Sequence, residues 1–134
     1  MIVAFWCVLI AGVLPLACSY LAKFGPALDA SEKFDNHNPR AWKARQTGLR
    51  ARARAAEANS WEAFPLFAIG VVVAVLQHVP IATINTIAVV FIVARVAYVA
   101  CYAADQATPR SLLWAVGFGA SIALYLFAAG GTLR

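Results

Sequence analysis

The sequence predicts an all-α integral membrane protein, a single domain of four antiparallel transmembrane helices. Three observations lead there. Hydrophobic residues fill 63% of the 134 positions and charged residues only 13%, with a mean hydropathy of +0.74, too apolar for an ordinary soluble domain. The apolar residues fall into four runs, each near the roughly 20 residues a helix needs to cross the hydrocarbon of a bilayer. Eight of the eleven Lys and Arg residues lie between Lys23 and Arg54, crowded against the ends of two such runs. The length leaves no room for a separate soluble domain.

Charge clustered beside apolar spans reads as topology. By the positive-inside rule, loop 23–48 and the short turn 105–107 are cytoplasmic and both termini lie on the opposite side, the membrane being the inner one for a bacterial chain. The net charge of +5 does not point to nucleic acid, because no basic and aromatic folding unit accompanies it. Cys7, Cys18 and Cys101 are odd in number and sit in apolar runs, so they read as small buried residues rather than a disulfide set.

The first span, 2–22, is uncharged, with Gly12 and Pro15 placed to bend it and Lys23 marking its cytoplasmic end. It lacks the basic start and small-residue cleavage pattern of a secretory signal, so it is expected to be retained. A polar stretch rich in turn formers follows, in which Asn38 can cap a short helix opened by Pro39 and closed by Gly48, with Trp42 suited to the bilayer interface. Asp35, His37 and the neighbouring Asn residues lack a second ligand pair at helical spacing and read as a folded loop, not a metal site.

The second span, 49–77, is longer than a bilayer requires, so its first turns project into the cytoplasm. Gln77 to Pro80 form a turn, and the third span covers 81–104. Asp105, Gln106 and Ala107 form the next turn, after which Thr108 can cap and Pro109 open the fourth span, 108–129. Gly117 and Gly119 offer close helix contact.

Polar residues inside apolar spans are costly unless paired or used. Around the second helix Arg52 lies within about 20° of Asn59 and Glu62 within about 60° of it, and Pro65 frees the carbonyl of Trp61 beside them. Arg95, Tyr98 and Tyr102 share one face of the third helix, and Arg110 with Ser111 opens the fourth. Guanidiniums, a carboxylate, an amide and phenols brought together suit a small zwitterion with more than one carboxylate. An equally simple reading has Glu62 and Arg95 neutralising each other between helices, with the tyrosines as interfacial anchors.

Arg52, the stretch Asn59-Ser60-Trp61-Glu62-Ala63-Phe64-Pro65-Leu66-Phe67, the pattern Arg95, Tyr98, Tyr102 one span later, and Pro109-Arg110-Ser111 together resemble the MAPEG family, membrane-associated proteins in eicosanoid and glutathione metabolism. Length, span number and loop order agree along the whole chain. The resemblance implies a homotrimer that binds glutathione between subunits at the cytoplasmic side, with a lipophilic small-molecule co-substrate arriving from the bilayer. It implies that Asn59 and Glu62 hold the glutathione backbone, that Arg52, Arg95, Tyr98, Tyr102 and Ser111 complete the binding set, and that Arg110 stabilises the thiolate. Lys23 is the weaker match to a basic residue closing the first helix. Ala55 stands where members that use glutathione commonly carry Arg.

The expected function is therefore a glutathione-dependent transferase or peroxidase with no metal, and the alternative is a non-catalytic lipid or small-molecule binder on the same scaffold. A four-span exporter would need a carboxylate in its first span, which has none.

Overall fold

In the computed structural model, residues 3–26 and 33–131 are described. Five helices follow in order: α1 (Val3–Phe24), α2 (Pro39–Arg45), α3 (Gly48–Leu76), α4 (Ile81–Ala103) and α5 (Ala107–Gly131). All but α2 are long and apolar enough to cross a membrane. Their bounds lie close to the expected spans; residue 2, the expected first residue of the opening span, falls outside the described residues, as does the chain end after Gly131.

The long helices alternate in direction, so the C-terminal ends of α1 and α4 meet the N-terminal ends of α3 and α5. We refer to this as the basic end. α1 packs chiefly on α3 and α4 on α5, with α3 also touching α4 and α5. The seams are built from small residues. In α1 the buried positions are Ala4, Cys7, Ala11, Pro15, Cys18 and Ala22, spaced three and four apart, and Gly117, Ala120, Ser121, Leu124 and Ala128 form the matching stripe on α5. Such residues let backbones approach where apolar burial gives no advantage over lipid. The large side chains face outward, among them Leu9, Val13, Leu16, Ile69, Val93 and Leu112. At the centre, Phe67 of α3 stacks on Phe91 of α4 with centroids 3.8 Å apart.

Both tight turns use a residue with positive φ and close in the same way. After α3, His78 (φ 58°) donates its amide to Val75 and Val79 donates to Ala74; after α4, Asp105 (φ 61°) donates to Tyr102 and Gln106 to Cys101. These are Schellman closures, which satisfy the last carbonyls of each helix and usually employ Gly. His and Asp are among the few other residues that enter the left-handed region readily.

Several local expectations are corrected. α5 opens at Ala107, with Arg110 N–H donating to the Gln106 carbonyl, so Thr108 is inside the first turn and is not the cap. Pro109 is tolerated there because a first-turn amide has no helical acceptor to lose. Asn38 precedes α2 but makes no side-chain cap; instead Asp35 Oδ1 accepts the amides of His37 and Asn38 and folds the loop. Gly48 does not end α2, which stops at Arg45; with φ 57° it opens α3. Trp42 is 1% exposed, edge-on to Phe34 and below the Arg50 guanidinium, because a helix this short buries its large apolar residue only by lying on its neighbour. Of the two glycines expected to offer close contact in α5, Gly117 packs against Arg95, whereas a Cβ at Gly119 would meet nothing within 4 Å.

Candidate functional site

The polar residues of the spans gather at the basic half of the bundle, along the face where α3, α4 and α5 meet. Arg95, 3% exposed, is the centre. Its Nη1 donates to Asn59 Oδ1 at 2.9 Å and its Nη2 to Ser60 Oγ at 3.2 Å, while the guanidinium lies 4.2 Å from the Tyr98 ring centroid. Gly117 makes this possible on the α5 side: a Cβ there would sit 3.3 Å from Arg95 Cδ. Asn59 Nδ2 in turn donates to Glu62 Oε2 at 3.4 Å. The chain of contacts thus runs from a buried cation through a neutral amide to an exposed carboxylate.

Arg95 and Glu62 do not form an ion pair. The simple neutralising pair between helices is absent, because Asn59 and Ser60 take the guanidinium first. Glu62 is left without a salt bridge among the described residues, at the mouth of a cavity of about 180 Å³ that Asn59, Arg95, Trp114 and Ser121 also line.

A second cavity of about 210 Å³ lies nearer the basic end, lined by Tyr98, Tyr102, Arg110, Ser111 and Trp114. Arg110 lies 4.3 Å from the Tyr102 centroid, and the two tyrosine rings meet edge to face at 5.6 Å. Arg95, Tyr98, Tyr102 and Arg110 therefore form a ladder of cation, ring, ring and cation. Among the described residues, neither phenol hydroxyl nor the Arg110 guanidinium has a hydrogen-bond acceptor. Three donors facing one cavity make a setting for an anion. Ser111 donates its hydroxyl hydrogen bond to the Ala107 carbonyl, which leaves its oxygen free only to accept.

Two expected site residues stand apart. Arg52 donates through Nε and Nη2 to the Ala103 carbonyl, with Nη1 4.0 Å from Asp105, so it secures the end of α4 rather than lining either cavity. Lys23 sits over the Phe34 ring at 4.9 Å, on the α1 side. Of the expected set, Asn59, Glu62 and Arg95 line one cavity and Tyr98, Tyr102, Arg110 and Ser111 the other.

Sequence reasoning missed the residue that joins them. Trp114 lines both cavities and stacks on Phe118 at 5.3 Å; its position four residues after Arg110 was the available signal. It also missed Ser60, hidden beside the more obvious Asn59, and Glu57, whose carboxylate holds Lys43 Nζ at 2.8 Å while the same ammonium donates to Ser19 Oγ. This triad fastens α2 across α1 and α3. No group of three or more His, Cys, Asp and Glu able to hold a metal occurs among the described residues.

The residues present fit a thiol peptide such as glutathione in kind: a lone carboxylate to receive an ammonium, and unspent donors to receive anionic groups. Neither the curated proteins nor the solved structures include one that matches this chain. The family model described as the MAPEG family matches residues 3–130 of the 134. Four apolar helices, the polar face they enclose and a match over nearly the whole length converge on one conclusion: this integral membrane protein belongs to the MAPEG family.

Proposed function

We propose that the protein is a glutathione-dependent membrane transferase or peroxidase, acting as a homotrimer on a lipophilic electrophile or lipid hydroperoxide. The observation that carries this reading is the cavity in which the Arg110 guanidinium and the Tyr98 and Tyr102 hydroxyls present donors with no protein acceptor among the described residues. Glu62 and Asn59 orient the ligand by its ammonium and backbone in the first cavity, with Arg95 holding Asn59 in place. The thiol then reaches Arg110, where a fixed positive charge and the amides of the first turn of α5 favour the thiolate.

In transfer, the thiolate sulfur forms a bond to the electrophilic carbon, the leaving group departs with its electron pair, and the thiol proton is released. In peroxide reduction, two thiols give a disulfide while the hydroperoxide gives an alcohol and water. Trp114 and Phe118, both exposed and apolar, border the site on the side open to lipid and suit a co-substrate that arrives through the bilayer. Loop 23–48 faces the cytoplasm in this reading, so the water-soluble thiol enters from the basic end.

The test uses the full chain in detergent with glutathione as the probe. Thiolate formation gives an ultraviolet difference signal, expected in the wild type and lost in Arg110→Ala, with turnover falling far more than binding. Undiminished turnover in that variant would remove Arg110 from the chemistry. A second reading, a non-catalytic binder on the same scaffold, is favoured by Ala55 and by the commitment of Arg52 to the Ala103 carbonyl. Wild-type protein that binds a lipophile but gives no thiolate signal at millimolar glutathione would establish it.

A further inference from the structure

At the end of the bundle away from the polar site, the α3 to α4 turn and the last turns of α5 border an open cleft of about 830 Å³. That volume is in the range of cavities that hold small molecules. Its floor is apolar, formed by Ala123, Leu126 and Phe127 of α5. Its rim carries the amide of Gln77, the imidazole of His78 and the hydroxyl of Thr83, and among the described residues no Asp, Glu, Lys or Arg lines it.

None of these three polar side chains has a hydrogen-bond partner among the described residues. The contrast with other hydroxyls on the spans is informative. Thr86, Ser111 and Ser121 each donate to the carbonyl four residues earlier, the usual way a hydroxyl is satisfied in a membrane helix. Thr83, the third residue of α4, donates its amide to the Pro80 carbonyl, and its hydroxyl has no acceptor among the described residues.

We propose that this cleft binds a membrane phospholipid, whose acyl chain lies on Ala123, Leu126 and Phe127 and whose glycerol ester oxygens accept hydrogen bonds from Thr83, Gln77 and His78. α3 ends at Leu76 and α4 begins at Ile81, so the polar rim sits where the chain leaves the hydrocarbon. Ester carbonyls of a phospholipid lie at the same boundary. Leu126 and Phe127 are 67% and 53% exposed, so the cleft opens sideways into the hydrocarbon and is reached from the bilayer. The described lining carries no formal charge, which suits the uncharged ester region. At 1.5 Å per residue, Phe127 lies about 25 Å along α5 from Arg110, so the site is independent of the proposed thiol chemistry.

The experiment places the full chain in phosphatidylcholine vesicles carrying a photoactivatable diazirine on the acyl chain, with adducts mapped by mass spectrometry. Adducts are expected to concentrate in 77–83 and 123–130 and to be lost there in Ala123→Trp, which fills the floor, while those at lipid-facing Val93 and Val96 persist. Even labelling along all lipid-facing positions, unchanged in Ala123→Trp, overturns the proposal. So does an unlabelled wild-type cleft together with a change of oligomeric mass in that variant, which would assign the cleft to a neighbouring copy. If Ala123→Trp does not fold, Gln77→Leu with Thr83→Val keeps the floor intact. That variant is expected to lose phospholipid retained by the wild type in native mass spectrometry, and unchanged retention overturns the proposal.

Discussion

A guanidinium 3% exposed inside apolar helices survives because each of its terminal nitrogens has an oxygen to meet and its flat face has a ring to cover it. Ser60 is the less visible of the two acceptors, and Ser60→Ala is expected to cost about 1.5–3 kcal/mol, the usual worth of a hydrogen bond to a charged group. The thermal unfolding midpoint in detergent measures it; a midpoint equal to wild type would mean that Nη2 finds another partner. That Arg95 has a special role was legible in the sequence, since an Arg so far inside a span needs a reason. Its partners were not. Asn59 and Glu62 lie about 60° apart around α3, with Ser60 about 100° and 160° from them, and which of them faces α4 depends on how the two helices rotate against each other.

Among elements, close contact between α3 and α5 depends on Gly70. A Cβ at that position would lie 2.9 Å from Tyr125 Cε2, and this same tyrosine donates its hydroxyl to the Leu66 carbonyl at 2.9 Å. Gly70→Ala is expected to destabilise by about 1–3 kcal/mol through overpacking. Tyr125→Phe should cost only about 1 kcal/mol, the net value of one hydrogen bond. Gly119→Ala, facing open space, should be neutral or stabilising by up to about 1 kcal/mol. Denaturation of the three variants side by side checks the order, and equal losses at Gly70 and Gly119 would contradict the packing.

The strap α2 is held differently, by Lys43 and Glu57 at 16% and 18% side-chain exposure. Lys43→Met leaves a mostly buried carboxylate unpaired and is expected to cost about 3–5 kcal/mol, most of it recovered when Glu57→Leu is added. Thermal unfolding of the single and double variants tests this, and a double variant no better than the single would rule out a charge-based penalty. Helix lengths followed from composition, whereas Trp42 inside and Thr108 off the cap did not. The first depends on what α2 lies against, and the second on a turn that closes through Asp105 and hands the helix start to Ala107.

For the whole molecule, the helix seams are lined mainly by small residues around a few large ones such as Phe67 and Phe91, and many large apolar residues face outward, the order a bilayer permits and water does not. The basic loop sets the proposed orientation, with loop 23–48 on the cytoplasmic side. With Cys7, Cys18 and Cys101 replaced by Ala, a thiol introduced by Asn38→Cys should react with a membrane-impermeant maleimide only from the cytoplasmic side of sealed vesicles. Labelling from the outer side would invert the topology. Composition and spacing alone determined four spans, their alternation and the set of polar residues that lie at one level of the membrane, because length and charge act along a single helix. Tertiary structure decided which of those residues touch. Lipid-facing and core-facing surfaces are equally apolar, so hydrophobicity carries no record of helix rotation, and only the packed bundle pairs Arg95 with Asn59 and Ser60, turns Arg52 away to Ala103, and sets Trp114 between the two cavities.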